Sequence, residues 1–147
     1  MKILRRPARF ALLATLDVAL HARGRPVSSK ELASRHDLPP RRLEALLQAL
    51  VRAGVLRSLR GPAGGYELAR ERRRICVGEI VRIALRHDEE ETARDSASLD
   101  ALVDPLLERA EERALAFLDE VTLDELCVSA ATLDIRRTLS APSDFTI

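Results

Sequence analysis

The sequence predicts a mainly α chain carrying one small two-stranded β hairpin and, in its C-terminal part, a long helix. Three observations predict it. Apolar residues recur at three- and four-residue spacing along most of the chain. The segment Arg60-Gly-Pro-Ala-Gly-Gly-Tyr66 interrupts that spacing with three glycines and a proline between short apolar runs, as a hairpin tip requires. A second helical pattern, from Leu99 to Val121, then persists for about six turns, or roughly 30 Å.

Each element follows from local sequence. Residues 5–23 read as one helix, with Phe10, Leu13, Leu16, Asp17 and Leu20 at helical spacing. The rest of this run is apolar nearly all round, which suits burial on more than one side. Gly24-Arg25-Pro26 ends it. Ser28 and Glu31 have capping-box spacing and begin a short helix with Leu32 and Ala33 inward. His36-Asp37 form a turn, and Pro39-Pro40 open the next helix, because proline is tolerated in a first turn. That helix runs to about Ala53, with Gly54 as its cap. Leu43, Leu46, Leu47 and Leu50 make its inner stripe; Arg41, Arg42, Glu44, Ala45 and Gln48 remain for the outer face.

Val55–Ser58 and Tyr66–Leu68 are the hairpin strands, and Arg70–Arg74 is a basic connection. Val77–Arg86 is a further helix with Ile80, Val81 and Ala84 inward. His87–Ser98 is polar and acidic without an apolar period, so it reads as a linker or mobile loop. Pro105 marks either the true start of the long helix or a kink in it. A long amphipathic helix outside a compact domain needs a partner surface. Thr122 and Glu125 form a second capping box before a short final helix, and residues from Ser140 read as a frayed tail. The expected organisation is therefore 1–86, a loop at 87–98, helices over 99–139, and a flexible tail at 140–147.

Charge divides along the same line. Residues 1–86 hold 19 Lys/Arg and 7 Asp/Glu, a net of +12, whereas residues 87–147 hold 5 and 16, a net of −11. The first part suits a polyanion and the second would be repelled by one. The near-neutral total conceals this. No 18-residue apolar run is present, and Asp17 interrupts the apolar stretch near the start, where no small-residue cleavage pattern follows. A membrane partner is not expected, and a cytoplasmic location is. Two cysteines do not make a disulfide framework.

Two short helices joined by a turn and followed by a basic hairpin make a winged helix-turn-helix. One helix of such a domain enters the major groove of double-stranded DNA, and the wing reaches for backbone or minor groove. Arg41 and Arg42 stand at the helix end that normally meets base edges, where arginine can take guanine with two hydrogen bonds. Glu44 can accept from a cytosine amino group. Arg60 leads the wing, formed by Gly61, Pro62, Gly64, Gly65 and Tyr66. Arg5, Arg6, Arg9, Ser28, Ser29 and Arg57 are candidate phosphate contacts, which supply salt-dependent affinity rather than sequence information.

Other chemistries find less support. The glycine-rich segment lacks the lysine of a phosphate-binding P-loop. No nucleophile–base–acid arrangement is visible, and Asp88–Glu91 form a run rather than a spaced pair, so an enzyme is not expected. His21, His36 and His87 share no metal-ligand spacing. Cys76 lies near a helix start beside Arg72, Arg73 and Arg74, which leaves a redox role physically open to it; ordinary packing is the competing reading. Cys127 reads as packing. A protein-interaction or partner-sensing module of the same fold, without DNA readout, is the alternative overall function.

At this point the chain resembles the IscR/NsrR/CymR (Rrf-type) family of bacterial winged-helix transcription regulators. The resemblance rests on Leu16–Leu20, on Leu43-Glu44 with Leu50, on Ala53–Ser58, on the wing Arg60–Tyr66, on Ile75 with Val77–Ile80, and on Val121–Leu126. It spans nearly the whole chain except His87–Ser98. It implies a homodimer on a pseudo-palindromic operator, usually a repressor, with the long helix pairing the subunits. Glu44 matches a glutamate of relatives. Many relatives hold an iron–sulfur cluster on three cysteines in the loop before that helix; here His87–Ser98 contains none, so no such cofactor and no metal is expected. Some relatives sense by other means, including a partner protein, so a small-molecule or protein effector is expected to act through this loop.

Overall fold

The computed structural model describes residues 6–92 and 100–133. Arg5, the second half of the expected 87–98 loop and the expected tail at 140–147 lie outside the described residues. Within them the order is α1 (Arg6–His21), α2 (Ser29–His36), α3 (Pro40–Arg52), β1 (Leu56–Leu59), β2 (Gly65–Leu68), a 3₁₀ turn (Arg72–Arg74), α4 (Val77–Thr92), α5 (Asp100–Asp119) and α6 (Leu123–Thr132).

α1 is the central helix. It buries Ala8, Ala11, Ala14, Thr15, Asp17, Val18 and Leu20, whereas Phe10, Leu13 and Leu16 are only half-buried. The deepest face is thus made largely of small residues, which let neighbouring helices approach closely. Ala11 and Ala14 share a core with Leu43, Leu47 and Leu50 of α3 and with Ile80 and Ala84 of α4. A fully buried leucine here stabilises the fold by roughly 1.5–3 kcal/mol.

Both capping boxes form. The Ser28 N–H donates to Glu31 at 2.8 Å, and the Glu31 N–H donates back to the Ser28 hydroxyl at 3.2 Å. Thr122 and Glu125 repeat the exchange at 2.6 and 3.2 Å. Asp37 turns the chain in the left-handed region at φ 51°, and Pro39 and Pro40 lead into α3. Gly54, at φ +75°, follows the α3 C-terminus and sends the chain into β1.

The strands are antiparallel, in the register Leu56↔Leu68, Arg57↔Glu67, Ser58↔Tyr66 and Leu59↔Gly65. A third piece of extended chain joins them: Val27, just before α2, bridges to Tyr66. The wing is thereby stitched to the start of the helix-turn-helix.

α4 corrects the expected loop. The helix does not stop at Arg86 but continues through His87 to Thr92. The reason lies in the sequence: no glycine or proline stands between Gly78 and Pro105, and glutamate is a good helix former. α5 likewise runs through Pro105 instead of starting at it. One side of α5 packs on α4, with Leu115 and Leu118 against Val77, Val81 and Leu85. α6 returns to α1, placing Cys127 and Ala130 against Leu20.

Candidate nucleic-acid interface

Two helices carry arginines at their positive ends. α3 begins without a side-chain cap and with no acidic residue in its first turn, where Arg41 and Arg42 are exposed. A cation at that end opposes the helix macrodipole and costs about 0.3–1 kcal/mol. Two of them together indicate positive charge kept for something other than helix stability. α1 repeats the arrangement: no acid in its first turn, with Arg6 and Arg9 exposed.

Most other arginines of this half are committed internally. Arg25 pairs with Glu31, Arg35 with Asp17, Arg57 with Glu67, and Arg70 with Glu79. Arg72 and Arg73 meet Asp124, and Arg82 meets Asp119. The net of +12 therefore overstates the charge open to a ligand. Among the described residues of this half, Arg6, Arg9, Arg41, Arg42 and Arg60 have no ion pair, and neither do Arg23, Lys30, Arg52, Arg74 and Arg86, so half of the open cations stand at two helix ends and the wing tip.

The wing is rigid at its base and small at its tip. The Gly64 N–H closes a turn on the Gly61 carbonyl at 2.9 Å, with Gly61 at φ +111°. Pro62 and Arg60 are exposed on this turn. A Cβ on Gly65, at φ +155°, would sit 2.5 Å from the Val27 carbonyl oxygen and 2.9 Å from the Ser28 nitrogen. Glycine is what lets the wing close on the start of α2.

Tyr66 ties the wing to α3. It is buried on β2 in the core that also holds Leu43, Leu46, Leu47 and Leu50 of α3, with Glu44 and Gln48 close to its phenol. Burial, reinforced by Glu44, pushes its phenol above the usual value, with Gln48 acting in the other direction. Ser28, Gly65, Tyr66, Glu44 and Gln48 are thus brought together. No hydrogen bond or ion pair among the described residues ties Arg6 or Arg9 to them.

Two expected phosphate contacts are occupied. The Ser28 hydroxyl both donates to Glu31 and accepts from its backbone, and Arg57 is held by Glu67 at 2.6 Å across the hairpin. Ser29 is the half-buried first residue of α2. The basic connection also has structural work. Arg70 donates to the carbonyls of Gly54 and Arg74 and to Glu79, joining the end of α3 to α4.

Cys76 is half-buried, and its thiol donates to Asp119 at 3.6 Å, while Arg72 and Arg73 turn to Asp124. The Arg82 guanidinium first of all, and the thiol to a lesser degree, hold the Asp119 carboxyl below the usual range. Cys127 is buried, which pushes its thiol up against the pull of Arg72. Sequence reasoning missed Asp17, Tyr66 and Arg70 as connecting residues. An acid inside an apolar helix was the one available signal, for Asp17.

A wing and a helix-turn-helix presenting unpaired arginines define the fold and surface of a DNA-binding transcription regulator. The chain belongs to the Rrf2 family: the family model, an iron-dependent transcriptional regulator, matches residues 4–129. It is similar to the HTH-type transcriptional regulator IscR of Xenorhabdus nematophila, at 33% identity over 134 residues, covering 86% of this chain and 80% of the relative. Among solved structures, IscR of T. potens aligns with a TM-score of 0.67 at 32% identity over 86% of this chain and 87% of that one. CymR, the global cysteine regulator of B. subtilis, aligns with a TM-score of 0.65 at 28% identity over 86% and 96%. The protein is accordingly a DNA-binding transcriptional regulator and not an enzyme.

The family's iron raises a question of fit. The chain has two cysteines in all. One is bonded to Asp119 and the other is buried against α1. Among the described residues, no group of three or more His, Cys, Asp or Glu is placed to hold a metal ion. These residues do not fit a cluster held by thiolates. No described helix is long and apolar enough to cross a membrane.

Proposed function

We propose that the protein is a homodimeric repressor that reads a pseudo-palindromic operator from the bacterial cytoplasm. The observation that carries this reading is the pair of exposed arginines at the uncapped start of α3, a helix that shares its core with Tyr66 of the wing. In this reading Arg41 and Arg42 meet base edges, and Glu44 takes a cytosine amino group. Arg60 enters or flanks a minor groove. Arg6 and Arg9 bind phosphates, with Arg5, Ser29 and the backbone amides around Ser28 beside them.

Residues 1–86 then form the DNA-binding part and 99–139 the pairing part. Leu106 and Phe117 on α5 are 67% and 64% exposed. Eleven residues apart, they lie within about 20° of one another around the helix. A second copy is the occupant that a two-fold operator calls for.

The same reading has the protein working without an iron–sulfur cluster. A cavity of about 220 Å³ between the end of α3 and α4, lined by Ala49, Arg52, Ala53, Ile83, Arg86 and His87, supports entry of an effector beside the 87–98 segment.

The test is selection of bound duplexes from a random DNA pool at near-physiological salt, using anaerobically purified protein. Enrichment of a two-fold symmetric site is expected. Weak, salt-sensitive binding without enrichment would count against sequence readout.

A further inference from the structure

We propose that the buried carboxylate of Asp17 is a positioning residue for DNA readout: by gripping the last turn of α2 it sets the angle at which α3 presents Arg41 and Arg42. The inference rests on the reading of α3 as the helix that enters the groove.

Asp17 lies in the C-terminal half of α1, and its side chain is 0% exposed. A carboxylate that deep requires partners. Arg35 Nη1 donates to Oδ1 at 2.7 Å, and His36 Nε2 meets Oδ2 at 2.6 Å. His21 Nδ1 lies 3.1 Å from Oδ1 and 3.0 Å from the Asp17 backbone carbonyl. Each carboxylate oxygen therefore holds a different residue of α2, which fixes that helix end in rotation as well as in distance. Glu31 adds a weaker hold on Arg35 at 3.5 Å and is itself paired with Arg25.

α2 needs such a grip. It has eight residues, and Leu32 alone is fully buried. A two-turn helix resting on Leu32 and the small Ala33 can roll about them; two charge-assisted bonds at 2.6–2.7 Å prevent that.

The turn that follows transmits the setting. The Leu38 N–H returns to the Ala33 carbonyl at 3.0 Å, Leu38 is buried, and Pro39 and Pro40 fix their own φ angles. A roll of α2 would thus be carried to the first turn of α3. Because the carboxylate belongs to α1, the same contact also fixes Arg6 and Arg9 relative to Arg41 and Arg42. An arginine already occupies the carboxylate, which suits a clamp and not a cation site.

The experiment compares wild type with Asp17→Asn, which preserves size but removes the charge and sets an amide N–H₂ against a donor. Affinity is measured for the duplex recovered by random-pool selection and for a scrambled duplex of the same length, beside denaturant unfolding. Leu123→Ala, a buried change on α6, serves as a comparably destabilised control.

The expected result is a loss of about tenfold or more on the selected duplex with less than about twofold change on the scrambled one, so that the specificity ratio collapses. The control should keep its ratio. If Asp17→Asn does not fold, His36→Ala, which removes one of the two grips, carries the test in the same direction. An unchanged ratio in a folded variant overturns the proposal even where stability falls. A wild-type protein that fails to discriminate the two duplexes overturns the reading of α3, and this proposal with it.

Discussion

Val27 and Tyr66 exchange both of their backbone hydrogen bonds, at 2.8 and 2.9 Å. One residue lies before the helix-turn-helix and the other inside the wing, so this bridge converts a hairpin that would be marginal alone into part of a three-segment sheet. Gly65 makes the approach, because any Cβ there meets the Val27 carbonyl. Gly65→Ala should destabilise the protein by about 1–3 kcal/mol through strain at positive φ, measured by urea unfolding. It should also weaken DNA binding by misplacing Arg60. An unchanged midpoint would mean that the wing is not held as described.

Arg60→Ala should weaken operator binding by more than about tenfold, some 1.4 kcal/mol. If the guanidinium meets phosphate, the slope of log K against log salt should fall by about 1; if it reads groove shape, discrimination among operator variants should relax instead. Unchanged affinity would remove the wing from the interface.

Glu31 gives a pH dependence with a defined sign. Its carboxyl is held at about 2, against an ordinary 4.5, first by the Arg25 hydrogen bond and then by the Ser28 amide and hydroxyl. Because the folded value is depressed, the stabilisation is complete above pH 4.5 and disappears as the pH falls toward 2. Glu31→Gln should cost about 1 kcal/mol at neutral pH, and its stability curve should converge with that of the wild type on acidification. Parallel curves down to pH 2 would contradict the assignment.

Leu106→Glu and Phe117→Glu should each shift the protein from dimer to monomer in sedimentation, with little change in monomer stability because both positions are exposed. Intact dimers in both variants would place the subunit contact elsewhere.

Protein purified anaerobically should be colourless and free of stoichiometric iron. A visible charge-transfer band that persists in the double variant Cys76→Ser, Cys127→Ser would show ligands outside the thiol set.

Local rules made much of this molecule legible. The Ser28–Glu31 and Thr122–Glu125 spacings specified two helix starts, and Leu43, Leu46, Leu47 and Leu50 specified the buried stripe of α3. The wing was readable because glycine and proline have few other reasons to cluster. The extension of α4 to Thr92 was harder to see, since a polar run without an apolar period looks like a loop even when nothing stops the helix. Long-range pairing was not legible. Asp17 meets residues 18 and 19 positions away, and Arg82 meets Asp119 across 37. No spacing rule connects such partners, so the number of arginines left open to DNA could not be counted from composition.

The segments around Ile75–Val77 and Val121–Leu123 are laced together, with Val77 bonded to Val121 and Leu123 to Ile75 at 2.9 and 3.0 Å. Leu123 belongs to the same buried core as α3. A chimaera that joins the first ninety residues of this regulator to the tail of another would therefore cut through a shared core, not along a seam. The exchangeable unit must carry the 121–130 region with the DNA-binding half, leaving only the exposed face of α5 to be traded for a new partner preference.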